Sequence, residues 1–296
     1  MNEFQSYGRP RNPIARLIVP ILIYWGISLT AQIIFTTAYI TAHINELMAA
    51  YESQEKLQKF MEESIGFILR YSTEVTSAAA LIMIPITIYM MRKDYKERQL
   101  LPAFQTQWKA PASKYIFAAG FGITAGIAFY NILILSNIRA ISQSYQSTSD
   151  NLYAAPLAVE LIGLGIIVPI LEENLYRGVV YKRMCDITSK KRAMIFSAIM
   201  FAVLHGNIVQ LLYSLFFGMM LCYIYEKFGS LKAAIITHCA ANIASVILTE
   251  TGAYRWIFQT PMRMGIITVL CACLASVCFV WIRGLQDQNP AVSDEK

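Results

Sequence analysis

The sequence predicts an all-α protein, a polytopic membrane helix bundle of about eight transmembrane helices. Three observations carry that expectation. Only 15% of the 296 residues are charged and 56% are apolar, whereas a soluble domain has about 25% charged residues. The mean hydropathy is +0.46, and it is concentrated in long apolar runs separated by short charged loops, the pattern of repeated membrane crossings. The basic residues are also one-sided: with the N-terminus in the cytoplasm, 19 of the 25 lysines and arginines fall in inner segments and 6 in outer loops. Such a bias sets an even number of spans with both termini cytoplasmic.

The spans are expected at 14–40, 75–91, 115–137, 156–176, 193–206, 208–226, 232–248 and 263–282. The first follows Arg9, Arg11 and Arg16. Its apolar core is too long for a signal peptide, so it reads as a retained anchor. The loop 41–74 is acidic and polar, with the character of an outer amphipathic surface helix. The fifth span is short: at about 1.5 Å per residue it falls below the usual thickness of a bilayer. It must stand nearly upright or borrow from its flanks. Residues 1–150 thus form an N-terminal set of membrane helices, 151–250 a core, and 251–296 a last helix with a cytoplasmic tail.

Composition excludes other classes. The net charge of +6 sits in loops beside apolar helices, with no basic face interleaved with exposed aromatics, so nucleic acid is not an expected partner. The six cysteines (Cys185, Cys222, Cys239, Cys271, Cys273 and Cys278) include no C-x-x-C and lie mostly in apolar runs. They read as free thiols in helices. No internal repeat occurs, which argues against a transporter built from inverted halves.

Ionisable groups inside a span are expensive, and each is a candidate for function. Glu172 and Glu173 close the fourth span. Glu173 and Arg177 are four apart and face each other on a helix, so they can pair. Glu172 points about 100° away and is left for other work. Pro169 just upstream removes an N–H, and a kink or local opening is expected there. His205 follows Phe201 in the fifth span. His238 and Asn242, one turn apart in the seventh, share a face. Each group also has a bland reading: solvated residues at a helix end, a packing histidine, a polar pair bonding a neighbouring helix. Together they place two carboxylates, two imidazoles and an amide on three helices, enough for a hydrolytic site.

The ordered set Glu172-Glu173-Asn174-Leu175-Tyr176-Arg177, then Phe201-Ala202-Val203-Leu204-His205, then His238-Cys239-Ala240-Ala241-Asn242 resembles the CPBP family, the group of CAAX prenyl endopeptidases and Abi or bacteriocin-immunity proteins. Tyr176 stands where that family commonly has Phe. The resemblance covers about 156–248. It implies an intramembrane endopeptidase in which Glu172 activates water with help from His205, while His238 and Asn242 stabilise the oxyanion. Glu173, Arg177 and Phe201 would be supporting residues. Burial in low dielectric strengthens a carboxylate as a base, and donors aimed at an oxyanion are worth most where water is scarce. A zinc version uses Glu172, His205 and His238 as a His₂Glu set. No H-E-x-x-H is present, and Asn242 suits an oxyanion donor better than a ligand, so no cofactor is favoured. The expected partners are membrane lipid and a membrane-associated or lipidated peptide or protein substrate, and the expected location is a bacterial plasma membrane. The alternative is a non-catalytic immunity or regulatory protein of the same family.

Overall fold

Prolines and paired charges decide where the helices begin, bend and end. The computed structural model describes residues 12–101, 108–136, 148–149 and 151–285, and no strand occurs among them. Arg9, Arg11, Arg139 and the tail beyond Leu285 lie outside the described residues. α1 (Pro13–Ala42) opens on a proline, which is harmless at a position whose N–H is unpaired anyway. Pro20 lies inside it and cannot donate to the Arg16 carbonyl. Arg183 Nη1 donates to that oxygen instead, at 2.6 Å, and so ties α1 to the middle of the chain.

The loop 41–74 is helical: α2 (Ile44–Ala50) and α3 (Gln54–Arg70). Ser53 caps α3 by accepting from the Lys56 N–H. The apolar side of α3 carries Phe67, stacked on Tyr39 of α1 with ring centroids 4.5 Å apart. α4 (Ser72–Gln99) runs well past the expected end at 91. Its charged tail stays helical because it is paired. Asp94 is 2% exposed and is held by Arg16 at 3.2 Å and Arg183 at 2.6 Å, and Arg98 forks onto Asp186 with both bonds at 3.0 Å.

α5 (Tyr115–Leu135) follows. The next helix, α6, is a continuous rod over 157–185 that contains two π-helical stretches, Gly163–Ile167 and Glu173–Tyr181. It outruns the expected 156–176. Every residue from Glu173 to Tyr181 is buried, which makes α6 the central helix of the bundle. Then come α7 (Lys190–Val203), α8 (Ile208–Phe228), α9 (Leu231–Glu250), the short α10 (Ala253–Phe258) and α11 (Pro261–Arg283).

Among the described residues, six helices are long and apolar enough to cross a membrane: α1, α4, α5, α8, α9 and α11. They coincide with six of the eight expected spans. The remaining two spans correspond to α6, whose regular winding is interrupted, and to α7, which has 14 residues. Large apolar side chains such as Leu29 and Ile33 on α1 and Val269 and Leu274 on α11 are more than half exposed. An apolar surface of that extent belongs against lipid. The protein is an all-α integral membrane bundle.

α5 packs on both α9 and α11, and α7 on α8. The α5–α9 contact is backbone on backbone: a β-carbon at Gly122 would collide with the carbonyl of Thr237. Small residues permit such close approach between membrane helices. Lys182 and Lys190 both pair with Glu226, at 3.3 and 2.7 Å. With the Asp94 and Arg98 pairs, they define a basic end of the bundle. The opposite end carries the start of α4, the end of α9 and α10.

Candidate active site

The site begins with a change of winding in α6. The Val168 N–H donates to the Gly163 carbonyl, five residues back. In that register the Leu164 carbonyl would meet the nitrogen of Pro169, which carries no hydrogen. Asn242 of α9 supplies the missing donor, its Nδ2 lying 2.9 Å from the Leu164 oxygen. The opening expected near Pro169 is therefore a π-turn, and Asn242 is bonded to it. Asn242 also lines the cavity described below.

Beyond Pro169 the two glutamates part company. Glu173 and Arg177 are both 0% exposed and form a 2.8 Å ion pair. Arg177 Nη2 also donates to the Gly218 carbonyl at 3.2 Å, and its guanidinium lies 4.5 Å over the Phe201 ring. A buried charge needs such partners, because losing one leaves the other stranded in low dielectric; Glu173 Oε2 and Arg177 Nε have no hydrogen-bond partner among the described residues. The same Glu173 oxygen accepts from His238 Nδ1 at 2.9 Å. A carboxylate can only accept, so Nδ1 carries the hydrogen. The ring is thereby turned to put Nε2 3.6 Å from Glu172 Oε2. Glu172 faces the cavity and is partly exposed, at 18%. Sequence reasoning paired Glu173 with Arg177 and missed its bond to His238, which joins residues on different helices and leaves no local signal.

The expectation that His205 lies within the fifth span is corrected. α7 stops at Val203, and His205 sits in the turn that follows. Gly206, at φ +74°, takes a conformation that favours glycine. Asn207 caps α8 by accepting from the Gln210 N–H at 2.9 Å. These two residues end one helix and start the next. His205 Nδ1 donates to the Phe201 carbonyl at 2.8 Å, which leaves Nε2 without that hydrogen. The Phe201 ring meets the His205 ring edge-on at 4.8 Å and the His238 ring at 5.9 Å. α7 is held at this level by Ser197 Oγ, which donates to the Tyr176 carbonyl of α6 at 2.9 Å.

Glu172, His205, His238 and Asn242 all line one cavity of about 1060 Å³. Phe201 lines it too, while Glu173 and Arg177 lie behind it. Sequence reasoning did not single out Tyr24, Gln210 or Tyr213, which also face the cavity. Gln210, a polar residue in an apolar run, was the readable one. Among the described residues no three His, Cys, Asp or Glu side chains come close enough together to hold a metal ion. The proposed His₂Glu set of Glu172, His205 and His238 is not assembled in this arrangement, and no step below is routed through a metal.

The family model of Type II CAAX prenyl endopeptidase Rce1-like proteins matches residues 154–244, which contain all four cavity residues. The chain is 25% identical over 158 residues to the "Putative membrane peptidase YdiL" of Bacillus subtilis (strain 168), a match covering 53% of this chain and 62% of that protein. It is thus similar to that protein over less than two thirds of its length. It is 30% identical over 128 residues to the UPF0177 protein YxdF of Lactococcus lactis subsp. lactis (strain IL1403), covering 40% of this chain and 71% of that protein. No solved structure matches the chain. The family model falls on the helices that carry the glutamate–histidine cluster, and the chain belongs to the CPBP family of CAAX-type intramembrane proteases.

Proposed function

We propose that the protein is an endopeptidase that hydrolyses a peptide bond of a membrane-associated or lipidated polypeptide by attack of a water activated at Glu172. The observation that carries this reading is the position of His238 between the two glutamates, one of them locked and the other facing the cavity. Glu172 takes a proton from water as its oxygen attacks the scissile carbonyl carbon, and passes that proton to the leaving amine as the C–N bond breaks. His205 assists through Nε2, the nitrogen its bond to Phe201 leaves free to accept. His238, when protonated at Nε2, donates to the oxyanion. The second Nδ2 hydrogen of Asn242 is its other donor, the first being held by Leu164. Donors fixed in advance, as these are by Glu173 and by the π-turn, cost no reorganisation during reaction. The bacterial relatives support a bacterial plasma membrane, and the distribution of basic residues supports cytoplasmic termini.

The test is turnover of a peptide library by the purified protein. Wild-type protein should cleave, and should continue to do so after treatment with a strong chelator. Glu172→Gln should lose about 10²–10⁴ in turnover with an unchanged melting temperature. Wild-type rates in Glu172→Gln would remove Glu172 from the role of base, and activity lost on chelation and restored by zinc would decide for the metal version.

A further inference from the structure

We infer that the cavity is entered from the end of the bundle opposite the basic loops, and that its substrate is a polypeptide segment presented from that side of the membrane. The substrate part of this inference rests on the peptidase reading above; the direction of access does not.

The direction follows from which half of each helix reaches the cavity. α9 starts at the basic end with Leu231. His238 lies about 10 Å along it, and Glu250, at the far end, about 18 Å further. The lining of the cavity climbs this helix from His238 through Asn242, Ser245 and Thr249 to Glu250, and never descends below His238. α8 runs the other way, and it contributes Val209, Gln210, Tyr213, Ser214 and Phe217, all from its half away from the basic end. α6 contributes Leu164, Val168 and Glu172 but nothing after them, and α5 contributes Gly126, Ile127 and Tyr130, toward its C-terminus. Among the described residues, four helices of alternating direction agree on one open end.

Exposure agrees with the lining. At the rim, Glu250, Arg255 and Gln259 are exposed. Beneath His238 the bundle closes: Arg177, Tyr181, Leu221, Ala234 and Thr237 are each 0% exposed. Beneath that layer lie the Lys182–Glu226–Lys190 pairs. A peptide reaching Glu172 from the basic side would have to displace a buried ion pair and a layer of buried side chains. From the other side it meets a polar-lined shaft with Gln210, Ser214, Asn242 and Ser245 on its walls, suited to the exposed amides of an extended chain. Because basic loops stay in the cytoplasm, the open end faces away from it. The substrate class is then an outward-facing juxtamembrane segment or an exported peptide that dips its scissile bond into the bundle.

The experiment reads access directly. Single cysteines are added at Gln210 in the shaft, at Gln259 on the rim and, as a control, at Lys191, which is exposed at the basic end. The six native cysteines stay in place, and modification by a membrane-impermeant methanethiosulfonate is quantified peptide by peptide by mass spectrometry. Gln210→Cys and Gln259→Cys should label in intact cells to the extent seen after permeabilisation, whereas Lys191→Cys should lose nearly all labelling unless cells are permeabilised. Ser245→Cys, a smaller change in the same shaft, repeats the measurement if Gln210→Cys does not reach the membrane. Shaft cysteines that label only after permeabilisation, or under neither condition, overturn the inference, as does labelling of Lys191→Cys in intact cells. Outside labelling of a chain that cleaves no peptide would keep the access route and sink the peptidase reading; a cleaving enzyme reached only from the basic side would do the reverse.

Discussion

At the basic end of the bundle the buried charges are partnered. Asp94 holds two arginines, Arg98 and Asp186 form a fork, and Glu226 takes two lysines. At the opposite end they are not. Among the described residues, Glu160 is 0% exposed and neither of its oxygens has a hydrogen-bond partner. Asn131, equally buried, has none among them at either side-chain atom, and one oxygen of Glu74 is also left over. An unmet buried polar group costs about 1–3 kcal/mol, and Glu173 Oε2, Arg177 Nε and Tyr181 Oη also go unmet on the closed side, so the contrast lies in the carboxylates: Asp94, Asp186 and Glu226 each meet a cation, whereas Glu160 meets none among the described residues. The difference separates a floor built for stability from a mouth whose polar groups are not spent on holding the fold.

That contrast can be broken at its strongest point. Arg177→Met removes the partner of a carboxylate with no exposure and should cost about 3–5 kcal/mol, seen as a lower melting temperature in detergent. Wild-type stability in this variant would show that the floor is held by packing alone. Asn242→Ala probes the boundary between the two regions. It should lower kcat by about 10²–10³ with KM nearly unchanged, the loss expected for an oxyanion donor. Normal turnover per folded molecule, with only a lower melting temperature, would confine Asn242 to holding the Leu164 carbonyl. The smallest effects should differ in sign. Asp94→Asn weakens three charge-assisted bonds, one from Arg16 and two from Arg183, and should destabilise by about 1.5–3 kcal/mol. Glu160→Leu removes a buried carboxylate with no cationic partner among the described residues and should be neutral or stabilising, by up to about 1–3 kcal/mol. Equal destabilisation in both would erase the distinction between the ends.

Much of this was legible in the sequence where the signal is local. Five expected spans lie within a few residues of observed helices, and a sixth matches α4 at its start, because an apolar run carries its own boundaries. The Glu173–Arg177 pair follows from spacing on a single helix. What escaped was set by contacts between distant segments. α4 continues through Arg92–Arg98 because Asp94 meets Arg183, 89 residues on. The orientation of His238 depends on Glu173, 65 residues away. His205 was placed inside a helix on the strength of its apolar neighbours, although Gly206 and Asn207 beside it form a turn signal. The resemblance of the three motifs found the cavity residues together, but not the π-turn that Asn242 completes, since winding is decided by which carbonyl Pro169 leaves without a donor.

The absent side chain at Gly122 has a consequence for how this protein can be inherited or rebuilt. α5 lies outside residues 154–244, the stretch shared with the family model. Yet its backbone rests on Thr237, the neighbour of His238. The shared stretch is therefore not a cassette that can be moved onto any set of partner helices. A transplanted core would arrive with its glutamates and histidines intact, but the depth of His238 would be whatever the new neighbour allowed. Even one methyl group at position 122 would push α9 outward and carry Asn242 away from Leu164. The part of the molecule outside the shared stretch thus sets the calibration of the part inside it, and a change in the first calls for retuning of the second.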